Sequence, residues 1–435
     1  MCDTLVALPA ATARGALLFA KNSDRERNEA QLLEIAPVRR NAPRQPLKLT
    51  YITIPDIART HACLISRPFW MWGAEIGAND AGVVIGNEAL HARTPAQRRR
   101  ALTGMDLVRL GLERADTAAH AVEIIVDLLE QHGQGGDCGH LGRFYYNNGF
   151  IIADPTEAYV LETAGRLWAV QRADAPRALS NAYSIGRDYD RVSPGLARHA
   201  AAQGWTGEDG RFDLAASLVD EARDAVSFGR GRCARGQALL DAAAPALTPH
   251  AMMAILRDHG DAAHWTPANT QGRTICMHAA EGARRSQSVA SMVSELKDGR
   301  FVHWVTGTSA PCTSLFKPVI LEAGLPGQGA PPTDRFDVQA PWWRHEQLHR
   351  AMLRDFGPAL ASLEDERDAL EARFIARMDT ASPTDVVEAA RQCWREAALA
   401  EDRWRANLPP ASATPHDRYR RSWARLNHVA GFPRN

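Results

Sequence analysis

The chain has 435 residues, with 51 basic and 51 acidic side chains and a hydrophobic fraction of 45%. This balance favours neither nucleic acid nor an anionic membrane as partner, and no stretch approaches the roughly 20 apolar residues of a membrane span. The N-terminus lacks a basic region before an apolar run, and Asp3 interrupts it, so no export signal is read there. The seven cysteines are odd in number and scattered without metal-ligand spacing, which reads as reduced thiols in the cytoplasm.

The first third alternates strand-like runs with turns. "TLVALPA" and "GALLFAKNSD" predict a hairpin, "LTYITI" and "HACLIS" a second pair, and "AEIGANDAGVVIGNEAL" a strand–turn–strand. Antiparallel hairpins are therefore the theme. Residues 103–114 predict a helix. A second is marked by Thr117 as N-cap, Val122, Ile125 and Leu129 on one face, and Gly133 as terminator. The glycine-rich stretch 134–146 carries no phosphate-binding spacing. Strands resume over 147–172 as a meander and continue in "RALSNAYSIG". Helical patterns follow at 212–225, at 233–244 and from Thr248-Pro249. "SVASMVSEL", "RFVHWVTGT" and "SLFKPVIL" are the last strands. The order strands, helices, strands, helices, strands, helices predicts an α+β fold. The expected division is a domain over 1–325 without Met1, a Pro- and Gly-rich linker over 326–340, and a helical extension over 341–435 that offers a dimerisation surface.

One residue stands out for chemistry. Removal of Met1 leaves Cys2 carrying a thiol and a free α-amine, so one residue supplies both nucleophile and base. No longer propeptide is expected ahead of it. The second strand ends "FAKNSDRE", placing Lys21 and Asp24 where the hairpin returns beside Cys2, as a cation for the thiolate and a carboxylate for the amine. Trp70 and Trp72 are candidate substrate-pocket walls. His259 and His264, five apart, miss the i, i+4 metal spacing and read as pocket or structural residues. Cys276 and Cys312 read as inert.

"MCDTLVALP…LLFAKNSDR", "PFWMWGAEIGANDAGVVIGNEAL", "LSNAYSIG", "TICMH" and "PCTSLFKPV" together resemble the secernin-like members of the peptidase C69 dipeptidase family, N-terminal nucleophile hydrolases distantly related to penicillin V acylases and bile salt hydrolases. The resemblance implies a four-layer αββα sandwich with Cys2 as nucleophile. It places Asp24 on the aspartate that holds the amine and Lys21 where the acylase relatives have arginine. It puts Asn87 and Asn181 on two functional asparagines whose amides stabilise the oxyanion, and Arg232 on a catalytic arginine. Glu75, Asp80 or Glu88 is the candidate partner for a substrate ammonium group, and Glu88 is the preferred one. The implied activity is cysteine-dependent amide hydrolysis of small peptides, a dipeptidase, with no metal or organic cofactor. The alternatives are an N-acyl amide hydrolase and a non-catalytic interaction protein of the secernin type.

Overall fold

The computed structural model describes residues 1–42, 44–270, 272–280, 286–297, 299–411 and 417–433. In chain order the strands are β1 (Cys2–Ala7), β2 (Leu17–Glu26), β3 (Gln31–Ala36), β4 (Pro46–Lys48), β5 (Thr53–Pro55), β6 (Cys63–Pro68), β7 (Ile76–Asn79), β8 (Val84–Leu90), β9 (Asn147–Ala153), β10 (Ala158–Ala164), β11 (Leu167–Arg172), β12 (Arg177–Leu179), β13 (Arg191–Val192), β14 (Ser286–Lys297), β15 (Arg300–Val305) and β16 (Lys317–Val319). The helices are α1 (Gly104–Arg114), α2 (Ala118–His132), α3 (Pro194–Ala202), α4 (Leu214–Leu218), α5 (Glu221–Ser227), α6 (Gly229–Ala243), α7 (Pro249–Leu256), α8 (Pro341–Met352), α9 (Phe356–Ala361), α10 (Glu364–Thr380), α11 (Val386–Ala406) and α12 (Asp417–Ala430).

Two antiparallel sheets carry the fold. One has six strands in the order β12-β1-β2-β14-β15-β16, the other eight in the order β13-β11-β10-β9-β8-β7-β6-β3. Both faces of the six-stranded sheet are buried, which is why "LLFA" is apolar without alternation. Leu17 and Phe19 point into a core shared with Val84, Leu90 and Ile151 of the other sheet. Leu18 and Ala20 point the other way, onto a core with Met252, Met253, Leu348 and Phe374. The outer face of the eight-stranded sheet packs Ile85, Phe150 and Leu161 against Leu107, Leu112, Ile125 and Leu129 of α1 and α2. The layers are therefore helix, sheet, sheet, helix: the αββα sandwich.

The first two helices begin at side-chain caps. Thr103 and Asp106 form a reciprocal capping box at α1, and the Thr117 side chain accepts from His120 N at α2, whose C-cap is Gly133 at φ +74°. The second expected strand pair is corrected. "HACLIS" pairs with the unanticipated β3 and with β7, while "LTYITI" only contributes to the small β4–β5 ribbon. The expected helix over 212–225 is two short ones, α4 and α5, each started by an aspartate cap, Asp213 and Asp220. The C-terminal helices share the core that covers β1, β2, β14 and β15, since Leu370, Phe374, Cys393 and Trp404 join Leu5 and Trp304 there. Trp342 and Trp343 are buried beside Val289 and Phe432.

Candidate active site

The β1–β2 hairpin sets Cys2 opposite Ser23 and Thr4 opposite Lys21. Residues directly opposite share a face, so Cys2, Thr4 and Lys21 project between the two sheets, while Asp3 and Asn22 project toward the helices. The Cys2 sulfur accepts from Asp24 N at 3.4 Å. On its other side β1 pairs with β12, which brings Ser180 and Asn181 alongside Asp3 and Cys2. Asn181 Oδ1 accepts from Cys2 N at 2.9 Å and from Arg232 at 2.6 Å, and its Nδ2 donates to Ala89 O at 3.0 Å. The carbonyl oxygen of Asn181 thus holds the nucleophile's nitrogen, and one of its two amide protons is committed to Ala89 O.

Arg232 lies behind this contact, in α6. Its Nε meets both Asp3 oxygens at 3.0 and 3.1 Å, its Nη1 donates to Ser227 O and Gly272 O, and its Nη2 donates to Ser180 Oγ and Asn181 Oδ1. The close packing needs a glycine, because a Cβ on Gly229 would sit 2.6 Å from the Asn181 backbone. Arg232 therefore positions Asn181 and is not itself on the cleft. Arg230 and Arg235 pair instead with Asp224 and with Asp258 and Asp261 at the surface.

Lys21 is fully buried, with Nζ 3.3 Å from Asn22 O and 3.5 Å from Glu88. Its methylenes lie over Gly86, where a Cβ would come within 2.4 Å of Cδ. Burial opposes the Lys21 charge, but the surrounding Cys2, Glu88 and Glu75 outweigh it and raise its pKa. Glu88 is a correction. It projects between the sheets, accepts from Thr4 Oγ1 and Lys21, and is fully buried away from the cleft, so it is the lysine's counter-group and not a substrate contact. Burial pushes Glu88 up to about 8, against the pull of Lys21. Burial likewise pushes the Cys2 thiol up to about 12, with Lys21 and the N-terminal ammonium pulling it back. With Met1 in place, burial therefore favours the protonated thiol, and that proton has to leave during attack.

Asp24 Oδ1 accepts from Ser288 Oγ at 2.7 Å, while the buried Oδ2 has no hydrogen-bond partner among the described residues. Burial raises this carboxyl to about 7, and the N-terminal ammonium opposes the shift. With Met1 in place that ammonium donates to Asp24 O, the backbone carbonyl, at 3.2 Å. Asn87 sits at the end of an amide relay. Gln134 Nε2 donates to Gly165 O, Asn148 Nδ2 to Gln134 Oε1, and Asn87 Nδ2 to Asn148 Oδ1 at 3.0 Å. Because Gly165 O can only accept, every amide in the chain has one orientation. The remaining Asn87 proton meets Met105 Sδ at 3.5 Å, a weak acceptor. The two tryptophans differ from expectation. Trp72 packs outside the cleft under Arg109, 4.2 Å from its ring centroid, and Trp70 stands behind the cleft wall, donating to Glu29 at 2.7 Å.

The sequence profile of peptidase family C69 matches residues 2–241. The chain belongs to peptidase family C69. Among solved structures it is similar to a C2A mutant of the conjugated bile acid hydrolase from Clostridium perfringens, at 12% identity over 75% of this chain and 94% of that one, with a TM-score of 0.43. It is similar to penicillin V acylase from Agrobacterium tumefaciens at 11% identity, over 74% and 86% of the two chains, with a TM-score of 0.41. For the Caenorhabditis elegans ortholog of N-acylethanolamine-hydrolyzing acid amidase the values are 10%, 67%, 92% and 0.32.

In this C69 chain, Cys2, Asp24 and Asn87 line one cleft of about 760 Å³. Its walls carry the carboxylates Glu26, Glu29 and Glu75 and the guanidinium groups of Arg25, Arg98, Arg143 and Arg223. Arg25 ties the acidic wall together, bonding Glu29 and lying 3.5 Å from Glu75. His91 also lines the cleft and is held neutral, its pKa brought down to about 4 by burial and by Arg223. Sequence reasoning missed Asp3, Ser180, Ser288 and the Gln134–Asn148 relay. Only Asp3 and Ser180 had a local signal, as neighbours of Cys2 and Asn181. Among the described residues no helix is long and apolar enough to cross a membrane.

Proposed function

We propose that this C69 hydrolase is a dipeptidase in which Cys2, freed by removal of Met1, attacks the scissile carbonyl with its own α-amine as base. The observation that carries the reading is the Cys2 backbone itself. Its nitrogen is held by Asn181 Oδ1, its sulfur by Asp24 N, and the Asp24 carboxyl lines the same cleft.

The thiol proton passes to the amine as sulfur bonds to the carbonyl carbon. Lys21 favours the charge developing on sulfur, and Asp24 receives the ammonium that forms. The oxyanion draws backbone N–H groups and the Asn87 proton that otherwise meets only Met105. One such donor is typically worth about 10²–10³ in rate. The C–N bond then breaks and the ammonium returns its proton to the leaving amine. Water attacks the thioester, giving its proton to the amine, and the acid leaves with the thiol restored.

A dipeptide fits a wall of mixed sign. The free ammonium and carboxylate of the substrate each need a counter-charge, and the cleft carries both. An acyl chain would instead use the apolar part of the same lining, Phe144, Tyr145, Tyr146 and Val226, so acyl amides are the competing substrates to test. The free cysteines of the chain suit the cytoplasm as the compartment where it acts.

The test is a panel of unblocked dipeptides, their N-acetyl counterparts, and phenoxyacetyl and cholyl amides, with amino acid release measured for the parent and Cys2→Ala. Unblocked dipeptides are expected to be cleaved by the parent only. Cleavage of the acyl amides with unblocked dipeptides untouched overturns the specificity. Equal activity of Cys2→Ala overturns the nucleophile.

A further inference from the structure

Away from the cleft, four groups converge on one point: His259, Cys276, His278 and Cys312. Each offers one ligand atom, and these atoms all lie within 4.8 Å of one another. His278 Nε2 is 3.5 Å from Cys276 Sγ, 3.4 Å from Cys312 Sγ and 3.3 Å from His259 Nε2. A tetrahedral zinc ion with Zn–S near 2.3 Å and Zn–N near 2.0–2.1 Å sets its ligand atoms about 3.6 Å apart for S···N and about 3.3–3.4 Å apart for N···N. The observed spacings match those of ligands around a shared centre. A single ring nitrogen has one proton or one lone pair, so His278 Nε2 cannot satisfy three such neighbours by hydrogen bonding.

The surroundings suit a closed site. Cys276, His278 and Cys312 are buried. Trp265 stacks on His259 at 3.8 Å between ring centroids, and Phe356 meets His278 edge-on at 5.1 Å. Two thiolates neutralise a divalent ion, which a dry shell of aromatic rings requires. Four protein ligands leave no open position, the mark of a structural site.

The site also has something to brace. Met277, between two of the ligands, donates its N–H to Ser288 Oγ and accepts from Ser288 N. Ala310, which opens the turn carrying Cys312, donates to Ser288 O at 2.7 Å. Both cysteine-bearing segments therefore clamp Ser288, the residue that holds Asp24. Nothing in the sequence announces this set, because its ligands span more than 50 positions and only Cys276 and His278 are near neighbours.

We propose that His259, Cys276, His278 and Cys312 bind one zinc ion in a tetrahedral structural site that braces Ser288 and, through it, Asp24. On binding, both thiols give up their protons to solvent. The bracing half rests on the active-site reading above; the metal half does not.

The experiment measures metal content by mass spectrometry of the full chain, expressed with zinc and purified under reducing conditions without chelator. One equivalent per chain is expected in the parent, and its loss in Cys276→Ser/Cys312→Ser. Because the double variant risks misfolding, cobalt exchange into the parent gives a second readout: sulfur-to-cobalt charge transfer and intense tetrahedral d–d bands. A parent that holds no zinc and gives no such bands overturns the site, as does a Cys276–Cys312 disulfide in the freshly purified protein. Chelation is expected to slow alkylation of Cys2, followed on its own peptide. Alkylation at the parent rate after demonstrated zinc loss overturns the brace and leaves the site standing.

Discussion

Arg232→Met removes the group that ties the candidate site to the helix layer. Arg232 and Asp3 are buried, with side chains 0% and 3% exposed and 3.0 Å between nitrogen and oxygen. At an effective dielectric of about 20, that separation corresponds to about 5–6 kcal/mol of gross attraction. Substitution leaves Asp3 with Ser180 Oγ alone among its present partners, at 2.6 Å. Breaking a buried pair from one side costs about 3–5 kcal/mol, a large part of the roughly 5–15 kcal/mol that holds a domain together. Adding Asp3→Asn removes the stranded charge, so the double variant is expected to recover about 2–3 kcal/mol relative to the sum of the singles. Urea denaturation followed by fluorescence of the eleven tryptophans reads all four corners of the cycle. Arg232→Met also frees the Asn181 carbonyl, and alkylation of Cys2 in the folded variant is expected to slow. A loss below about 1 kcal/mol for Arg232→Met, or strict additivity, refutes the reasoning.

With Met1 retained, the Asp24 carboxyl titrates near 7 against an ordinary value near 3.8. The folded state then binds the extra proton, and this group's contribution to stability falls as pH rises from about 4 to 7. Removal of Met1 places an ammonium at Cys2, and carbon NMR of Asp24 is expected to show its pKa move down. Gly86→Ala drives a Cβ into the buried Lys21 chain. It is expected to cost about 1–3 kcal/mol in urea denaturation and to raise the pH at which Cys2 is alkylated, because the displaced ammonium no longer offsets burial. His303 is buried, contacts Ser294 Oγ at 2.9 Å, and has its pKa brought down to about 3 by burial. The unfolded chain takes up a proton there below about 6.5, so stability is expected to be lost as pH falls from 6.5 toward 3. Thermal scans of His303→Asn should show a shallower acid slope over that window.

Much of the fold was legible because its signals are local. The Thr117 cap, the Gly133 terminator and the apolar face between them predict α2 from one short stretch. The β1–β2 hairpin follows from two apolar runs and a polar turn. The expected pairing of "LTYITI" with "HACLIS" fails because nearness in sequence is not nearness in the sheet: the real partner, β3, lies further upstream. The site divides in the same way. Cys2, Lys21 and Asp24 sit on one hairpin and could be grouped by eye. Glu88 and Asn87 are adjacent on β8 and each has an expected role at the substrate, yet alternation along the strand sends Glu88 between the sheets and Asn87 to the opposite face.

The sequence alone determined that a cysteine follows the start methionine, that antiparallel strands and helices alternate, and that a cation and a carboxylate return beside that cysteine. Only the tertiary structure decided what surrounds it. Asn181 reaches Cys2 across 179 positions and Arg232 reaches Asp3 across 229. The physical reason is range. Periodicity, caps and turns act over one or two helical turns or one hairpin, whereas buried charges and thiols are matched by whichever chain segments the packing of sheets and helices brings within about 3 Å.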